Sequence, residues 1–208
     1  MFAPRFLVIS LGNPAPLSNS FHSAGHVALC AVQRALAPSQ PQFSSSERYG
    51  QKLCMASPSL PYTFIQSPTM MNISGPWVRA TWKDMLQRHG LQASELGLVI
   101  VHDELEASFG AVQRRKWNTS HRGHNGLKSV KKSLDSLECS HDRWSRIAIG
   151  IGRPIDRTPD VVADYVLRDM TSRQRRTIDT EVGPKIIHCL RDLQDEWQES
   201  HDRERAAA

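Results

Sequence analysis

Leu98-Val99-Ile100-Val101-His102-Asp103-Glu104 is an apolar run that passes without a turn into three polar side chains. Runs of this length, rich in β-branched residues, belong to central strands covered on both faces. Phe6-Leu7-Val8-Ile9-Ser10-Leu11 has the same form and closes on Gly12-Asn13-Pro14, and residues 147–151 close on Gly152-Arg153-Pro154. Two further strands are expected over residues 49–55 and 62–65, joined by a Ser-Pro-Ser turn. Between the strands the period changes. Ala24, Val27, Ala28, Ala31, Val32 and Ala35 recur at helical spacing and stop at Pro38. Ile73, Trp77, Val78, Thr81 and Met85 mark a second helix ending near Gly90, and Leu127, Val130, Leu134 and Leu137 a third. Ile178, Val182, Ile186, Leu190, Leu193 and Trp197 mark a last helix, with a kink expected at Gly183-Pro184. Strands alternating with helices predict an α/β fold. The expected form is a single-domain three-layer α/β/α sandwich with a mixed, largely parallel central sheet.

The 208 residues carry 26 Lys and Arg against 21 Asp and Glu, a net charge of +5. One domain over residues 1–208 is expected at this length, with a disordered tail over about residues 199–208. The longest apolar stretches are strand-length, well short of the ~18 residues of a spanning helix, so no membrane partner is expected. Cys30, Cys54, Cys139 and Cys189 are far apart and form no C-x-x-C pair. Reduced thiols in an intracellular setting, cytoplasmic or mitochondrial, are the expectation, with no leader read before the first strand.

In open α/β sheets ligands gather at the carboxyl ends of the strands. That rule collects Asn13 and His22 after the first strand, Asn72 after the strand near Tyr62, His102, Asp103 and Glu104 after the central strand, and His121, His124 and Asn125 before the third helix. A histidine beside a carboxylate is a general base, because the carboxylate fixes the tautomer and stabilises the imidazolium. Carboxamides donate to a developing oxyanion without adding charge. Each residue alone has a structural explanation, as a turn or a helix cap, and only their convergence points to a site. His121, His124 and Asp103 form an alternative metal-ligand set, the weaker reading because no H-E-x-x-H helix is present. Gly150-x-Gly152 lacks the third glycine of a dinucleotide loop, and neither a Walker lysine loop nor a G-x-S-x-G elbow occurs. No cofactor is implied.

Charge is uneven. Arg114, Arg115, Lys116, Arg122, Lys128, Lys131 and Lys132 fall within residues 114–132 with no Asp or Glu among them. Most such runs are solvated faces, but this one brackets the His121–Asn125 segment and holds Trp117. A phosphate-backbone substrate, with an aromatic to stack on a base, fits that placement.

At these residues the chain resembles the bacterial-type peptidyl-tRNA hydrolases. Leu11-Gly12-Asn13-Pro14, Phe21-His22-Ser23-Ala24-Gly25, Pro68-Thr69-Met70-Met71-Asn72-Ile73-Ser74-Gly75, Val101-His102-Asp103-Glu104-Leu105-Glu106, Gly123-His124-Asn125-Gly126-Leu127-Lys128 and the segment from Arg146 to Pro154 resemble six family blocks, in order. The resemblance implies a metal-independent esterase that frees tRNA from peptide during translation, and nothing in the sequence demands more than a monomer. His22 would be its general base and Asp103 the orienting carboxylate. Asn13, Asn72 and Asn125 would hold the peptide main chain, the terminal adenosine and the water, and Met70 would line the pocket where the family usually has Phe. Arg115, Lys116 and Lys128 would meet tRNA phosphates.

The chain departs from the pattern in several places. Ala15 replaces a glycine, the interval from Asn13 to His22 is one residue short, and Leu17-Ser18 stands where a tyrosine is expected. Phe21 replaces an arginine before the histidine, Ala148 replaces a clamp arginine, and Trp117-Asn118-Thr119-Ser120 replaces a glycine-rich loop. Arg114, Arg122 and Arg153 are candidates to compensate. A non-catalytic RNA-binding module on the same fold is the alternative these departures raise.

Overall fold

The computed structural model describes residues 2–137 and 139–207. Its strands are β1 (Phe6–Ser10), β2 (Arg48–Tyr49), β3 (Lys52–Leu53), β4 (Ala56–Pro58), β5 (Tyr62–Gln66), β6 (Gly97–Glu104), β7 (Val112–Lys116) and β8 (Trp144–Gly150). The helices are α1 (Ala24–Leu36), α2 (Ser74–His89), α3 (Asn125–Leu134), α4 (Pro159–Leu167), α5 (Ser172–Thr177) and α6 (Gly183–Ala207). Six strands form one sheet in the order β4-β5-β1-β6-β8-β7, and β2 and β3 make a separate hairpin. The inner strands β5, β1, β6 and β8 are parallel, and the edges β4 and β7 run antiparallel. This is the mixed, largely parallel sheet expected.

The two-residue period of the strands splits their side chains between two cores. Val8, Val99, Val101, Ile147 and Ile149 face α1 and α6 and pack with Ala28, Val32, Ile186 and Leu190. Leu7, Ile9, Leu98, Ile100 and Trp144 face α2 and α3 and pack with Trp77, Val78, Leu127 and Val130. Apolar burial on both faces is why β6 reads as an unbroken apolar run.

Five features differ from the sequence reading. The strand expected over residues 49–55 is broken by a turn, with Gly50 at φ 53° and Gln51 at φ 69°, and the chain re-enters the main sheet only at edge strand β4. Strand β7, Val-Gln-Arg-Arg-Lys, is invisible to an apolar-run criterion because it lies half-exposed at the sheet edge. Helix α4 also escapes that criterion, since only Val166 of it is buried. The expected disordered tail is instead helical through Ala207. Trp197 packs edge-on against Phe6, Phe2 stacks on His201 at 3.9 Å, and Ser200 accepts a hydrogen bond from Arg143, so this segment has real partners. The interruption read at Gly183-Pro184 falls one step earlier, as a single wide turn over Ile178–Val182, the kind of i→i+5 bulge that bends long helices. Among the described residues no helix is long and apolar enough to cross a membrane.

Candidate active site

The carboxyl end of β6 delivers Asp103, 1% exposed. His22 comes from a short helical turn, Phe21–Ser23, that leads into α1. Its position depends on Gly25: a Cβ there would lie 2.7 Å from the Leu11 carbonyl and 2.8 Å from that of Val101. Only a glycine lets α1 start this close to the ends of β1 and β6, and that approach brings His22 to Asp103. His22 Nδ1 lies 2.9 Å from each carboxylate oxygen. The anion is an obligate acceptor, so Nδ1–H donates and Nε2 keeps its lone pair.

His124 occupies the other side of the same carboxylate. Its Nε2 donates to Asp103 Oδ1 at 2.9 Å, and its Nδ1 accepts from the Leu127 N–H at 3.1 Å as the N-cap of α3. Both ring nitrogens are committed, so His124 buttresses Asp103 and leaves proton transfer to His22. Burial would raise the Asp103 pKa, but the charges and hydrogen bonds of His22 and His124 outweigh it and hold the carboxyl well below the usual range. For His22 burial pulls downward, yet the Asp103 charge and hydrogen bond prevail and the imidazole pKa stands above 6.5. His102 is 2% exposed, bonds through Nδ1 to the Asp103 carbonyl at 2.7 Å, and is pushed down by burial, with His124 adding to the effect, to about 3. It is an interior neutral histidine.

The asparagines divide. Asn125 is exposed and lines, with His22, Asp103 and His124, a cavity of about 490 Å³ whose far wall is Val162, Val166 and Leu167. Asn13 is 2% exposed, and its Oδ1 accepts from the Met71 N–H at 2.8 Å, so only its NH₂ is left for a ligand. Met71 in turn packs on the start of α3, where a Cβ on Gly126 would fall 2.3 Å from its Sδ. Met70 and Asn72, flanking Met71, are exposed beside this junction and outside the cavity wall. The site is thus one polar edge assembled from four chain segments.

Three expectations are corrected. His121 spends its Nδ1 on the Gly123 N–H, and the convergent ligand-type set is His22, Asp103 and His124, whose atoms lie within 4.8 Å. In that set each histidine already gives Asp103 a proton. Trp117 is buried, its indole N–H donating to Asp135, so it offers no face for stacking on a base. Of the compensating arginines, Arg114 pairs with Glu196 on α6 at 2.7 Å and Arg153 with Glu106. Arg122, at the cavity mouth with Arg157, has no carboxylate within 4.0 Å among the described residues. Arg115 and Lys116 on β7 pair with Arg146 and Ser145 near the amino end of β8, Lys116 lining a separate cleft with Phe6 and Trp144, and Lys128 is exposed on α3, so none of the three lines the cavity. The sequence reading misses the role of His124, although the block Gly123-His124-Asn125-Gly126 carries it. It also misses the α4 wall, whose one signal is Thr158-Pro159-Asp160, a helix start.

A sequence model of the family described as "Peptidyl-tRNA hydrolase" matches residues 7–206. The chain belongs to the peptidyl-tRNA hydrolase family. It is 30% identical over 189 residues to a probable peptidyl-tRNA hydrolase of Schizosaccharomyces pombe, covering 90% of this chain and 82% of that one. Against the peptidyl-tRNA hydrolase of Streptomyces coelicolor it is 34% identical over 178 residues, covering 84% and 82%. The crystal structure of peptidyl-tRNA hydrolase from Acinetobacter baumannii superposes with a TM-score of 0.64 at 18% identity, over 93% of this chain and 96% of that one. At that identity the superposition speaks for the fold, while family membership rests on the sequence matches.

Proposed function

We propose that this chain hydrolyses the ester between a peptide and the 3′-terminal ribose of tRNA, with His22 as general base and Asp103 as its orienting carboxylate. The observation that carries the reading is the His22–Asp103 pair, which leaves Nε2 as the one nitrogen of the His22 ring without a protein partner among the described residues. A water held there loses a proton to Nε2 as its oxygen attacks the ester carbonyl. The resulting imidazolium sits 2.9 Å from a buried anion that lowers its energy. When the tetrahedral intermediate collapses, the C–O bond to ribose breaks and the imidazolium proton passes to the departing ribose oxygen. The products are the peptide acid and free tRNA. The exposed carboxamides of Asn72 and Asn125, and the NH₂ of Asn13, supply uncharged donors for the oxyanion and partners for the peptide amide. No step draws on a metal or a cofactor.

Selectivity follows from charge. At the cavity mouth Arg122 and Arg157 have no carboxylate within 4.0 Å among the described residues, while Arg153 is paired with Glu106. The ammonium of an aminoacyl-tRNA would be repelled there and would also lose its hydration, whereas an N-acylated substrate presents a neutral amide. Arg115, Lys116 and Lys128 are assigned to tRNA phosphates, and the protein acts as an intracellular monomer. The test is release of free tRNA from N-acyl-aminoacyl-tRNA against an aminoacyl-tRNA control, with and without chelator. Cleavage of the acylated substrate alone, unchanged by chelator, is expected. Binding of tRNA without cleavage would instead favour the non-catalytic module, and loss of activity in chelator would favour a metal hydrolase.

A further inference from the structure

The chain between β7 and α3 crosses the sheet edge from the amino end of β8 to the catalytic edge, and it carries the residues that replace the family's glycine-rich loop. Its carbonyls are turned toward two cations. Arg146, on β8 and only 2% exposed, places Nη2 2.8 Å from the Thr119 carbonyl, 2.6 Å from the Thr119 hydroxyl and 3.4 Å from the carbonyls of Lys116 and Ser120. Lys131, on α3, donates to the Trp117 carbonyl at 3.0 Å while resting over the Trp117 ring, whose N–H is tied to Asp135. The N–H groups of Asn118, Ser120 and His121 have no protein acceptor among the described residues. The crossing ends with Arg122 at φ 47° and Gly123 at φ 82°, a left-handed pair that swings the Arg122 side chain to the cavity mouth.

The charge around this segment is uncompensated. Among the described residues, Arg115, Lys116, Arg122, Lys128 and Arg146 all lack a carboxylate within 4.0 Å. Arg146 is the telling member: a buried guanidinium is ordinarily paired with an acid, yet here it is solvated by carbonyl dipoles, with its Nε left without a partner among the described residues. Burial, with the neighbouring Arg115, pushes its pKa down, Glu104 offsets them in part, and the charge it keeps adds to that of the edge beside Arg115.

We propose that residues 116–123 form a preformed surface for RNA phosphodiesters, and that Arg146 and Lys131 are its positioning residues. They hold the carbonyls inward, so that free N–H groups and the Arg122 guanidinium meet the phosphates. This inference rests on the reading of the substrate as a tRNA.

The test compares the wild type with Arg146→Met, Arg146→Lys and Thr119→Val. The last removes one hydroxyl acceptor from an exposed residue, so it keeps the question open if Arg146→Met fails to fold. Binding of deacylated tRNA is measured across a salt series. Hydrolysis is followed on full peptidyl-tRNA and on N-acyl-aminoacyl-adenosine, which has no phosphodiester. Arg146→Met is expected to weaken tRNA binding about tenfold, the effect of one charge-assisted hydrogen bond, with partial recovery in Arg146→Lys and a smaller loss in Thr119→Val. KM for the full substrate rises at unchanged kcat, the slope of log affinity against log salt falls by about 0.9 for each phosphate that is no longer neutralised, and the adenosine ester is cleaved at the wild-type rate. Equal losses on both substrates, or variants that bind tRNA as the wild type does, would overturn the inference and leave the esterase reading standing. A wild-type protein that neither binds nor cleaves tRNA would remove both.

Discussion

The imidazoles of His22 and His124 lie 5.0 Å apart, centroid to centroid, and share the carboxylate of Asp103, each giving it one N–H at 2.9 Å. His22 is fixed with Nε2 free of partners among the described residues, and His124 has both nitrogens occupied. The same anion is thus oriented by one histidine and orients the other.

Removing the base should remove the chemistry and spare the fold. His22 is partly exposed on a short turn and contributes little to either core. His22→Ala is expected to lower kcat for N-acyl-aminoacyl-tRNA about 10²- to 10⁴-fold, with an unchanged circular dichroism spectrum. A rate near that of the wild type would refute the assignment.

Because Asp103 raises the His22 pKa, activity needs the neutral imidazole and rises with pH through a value above 6.5. Asp103→Asn removes that support, so the acid limb of kcat/KM moves to lower pH while the plateau drops through tautomer misorientation. An acid limb that stays in place would show that Asp103 does not set the His22 titration.

His124→Ala acts in the opposite direction. Asp103 loses one of its two histidine donors, its charge is less shared, and its pull on His22 grows. The acid limb should move to higher pH, and loss of the α3 N-cap should cost about 1 kcal/mol in a denaturant titration. A shift to lower pH would contradict the buttress role.

Two buried histidines set the acid stability. His26 is pushed down by burial to about 4 and His102 to about 3. Unfolded, both take up a proton near 6.5, so the unfolded state binds more protons between these values and stability falls as pH drops from 6.5 toward 4. Each contributes up to about 1.4 kcal/mol per pH unit. Melting temperatures over this range should show the fall, and His102→Gln should flatten it. A flat profile in the wild type would mean that these rings are not buried neutral.

Phe21 and Tyr165 stack at 5.1 Å with planes 8° apart, Arg168 lies over both rings, and the Tyr165 hydroxyl bonds to the Ile151 carbonyl at 2.7 Å. The turn carrying His22 is thereby fastened to the α4 wall. Tyr165→Phe should cost about 1 kcal/mol through the missing hydrogen bond and keep kcat. Tyr165→Leu should lose the stack, about 0.5–1.5 kcal/mol, and lower kcat as well. Equal kcat in the two variants would show that the stack is structural only.

What can be read in the sequence is whatever burial or backbone demands imprint on it. Strands β1 and β6 are legible because apolar cover on both faces leaves an unbroken run. Strands β5 and β8 show only the short apolar pieces Phe64-Ile65 and Ile147-Ala148-Ile149, so the start of β8 at Trp144 is missed behind Ser145 and Arg146. The carboxyl ends of the strands locate His22, Asp103 and Asn125 by a topological rule. Edge strand β7 and helix α4 are not legible, since one lies half in solvent and the other buries a single residue, so neither carries a strong period. Trp117 misleads for a related reason. An aromatic among bases reads as a stacking platform, and only its tertiary partners Asp135 and Lys131 show that it faces inward. The double use of Asp103 is likewise out of reach, because nothing in the spacing of His22 and His124 says that both touch one carboxylate.

The stacking of Phe2 on His201 has a topological consequence. It lies at the amino edge of the sheet, with Phe6 beside Gly97 and Asp103 six residues further along β6, about 20 Å away. A flexible linker from the end of α6 to residue 2 would therefore close the chain into a ring without crossing the catalytic edge. Reopened at the exposed residues 45–47, past the buried Gln40 and the Ser44–Ala56 bridge, such a ring gives a circular permutant with the His22–Asp103–His124 constellation intact.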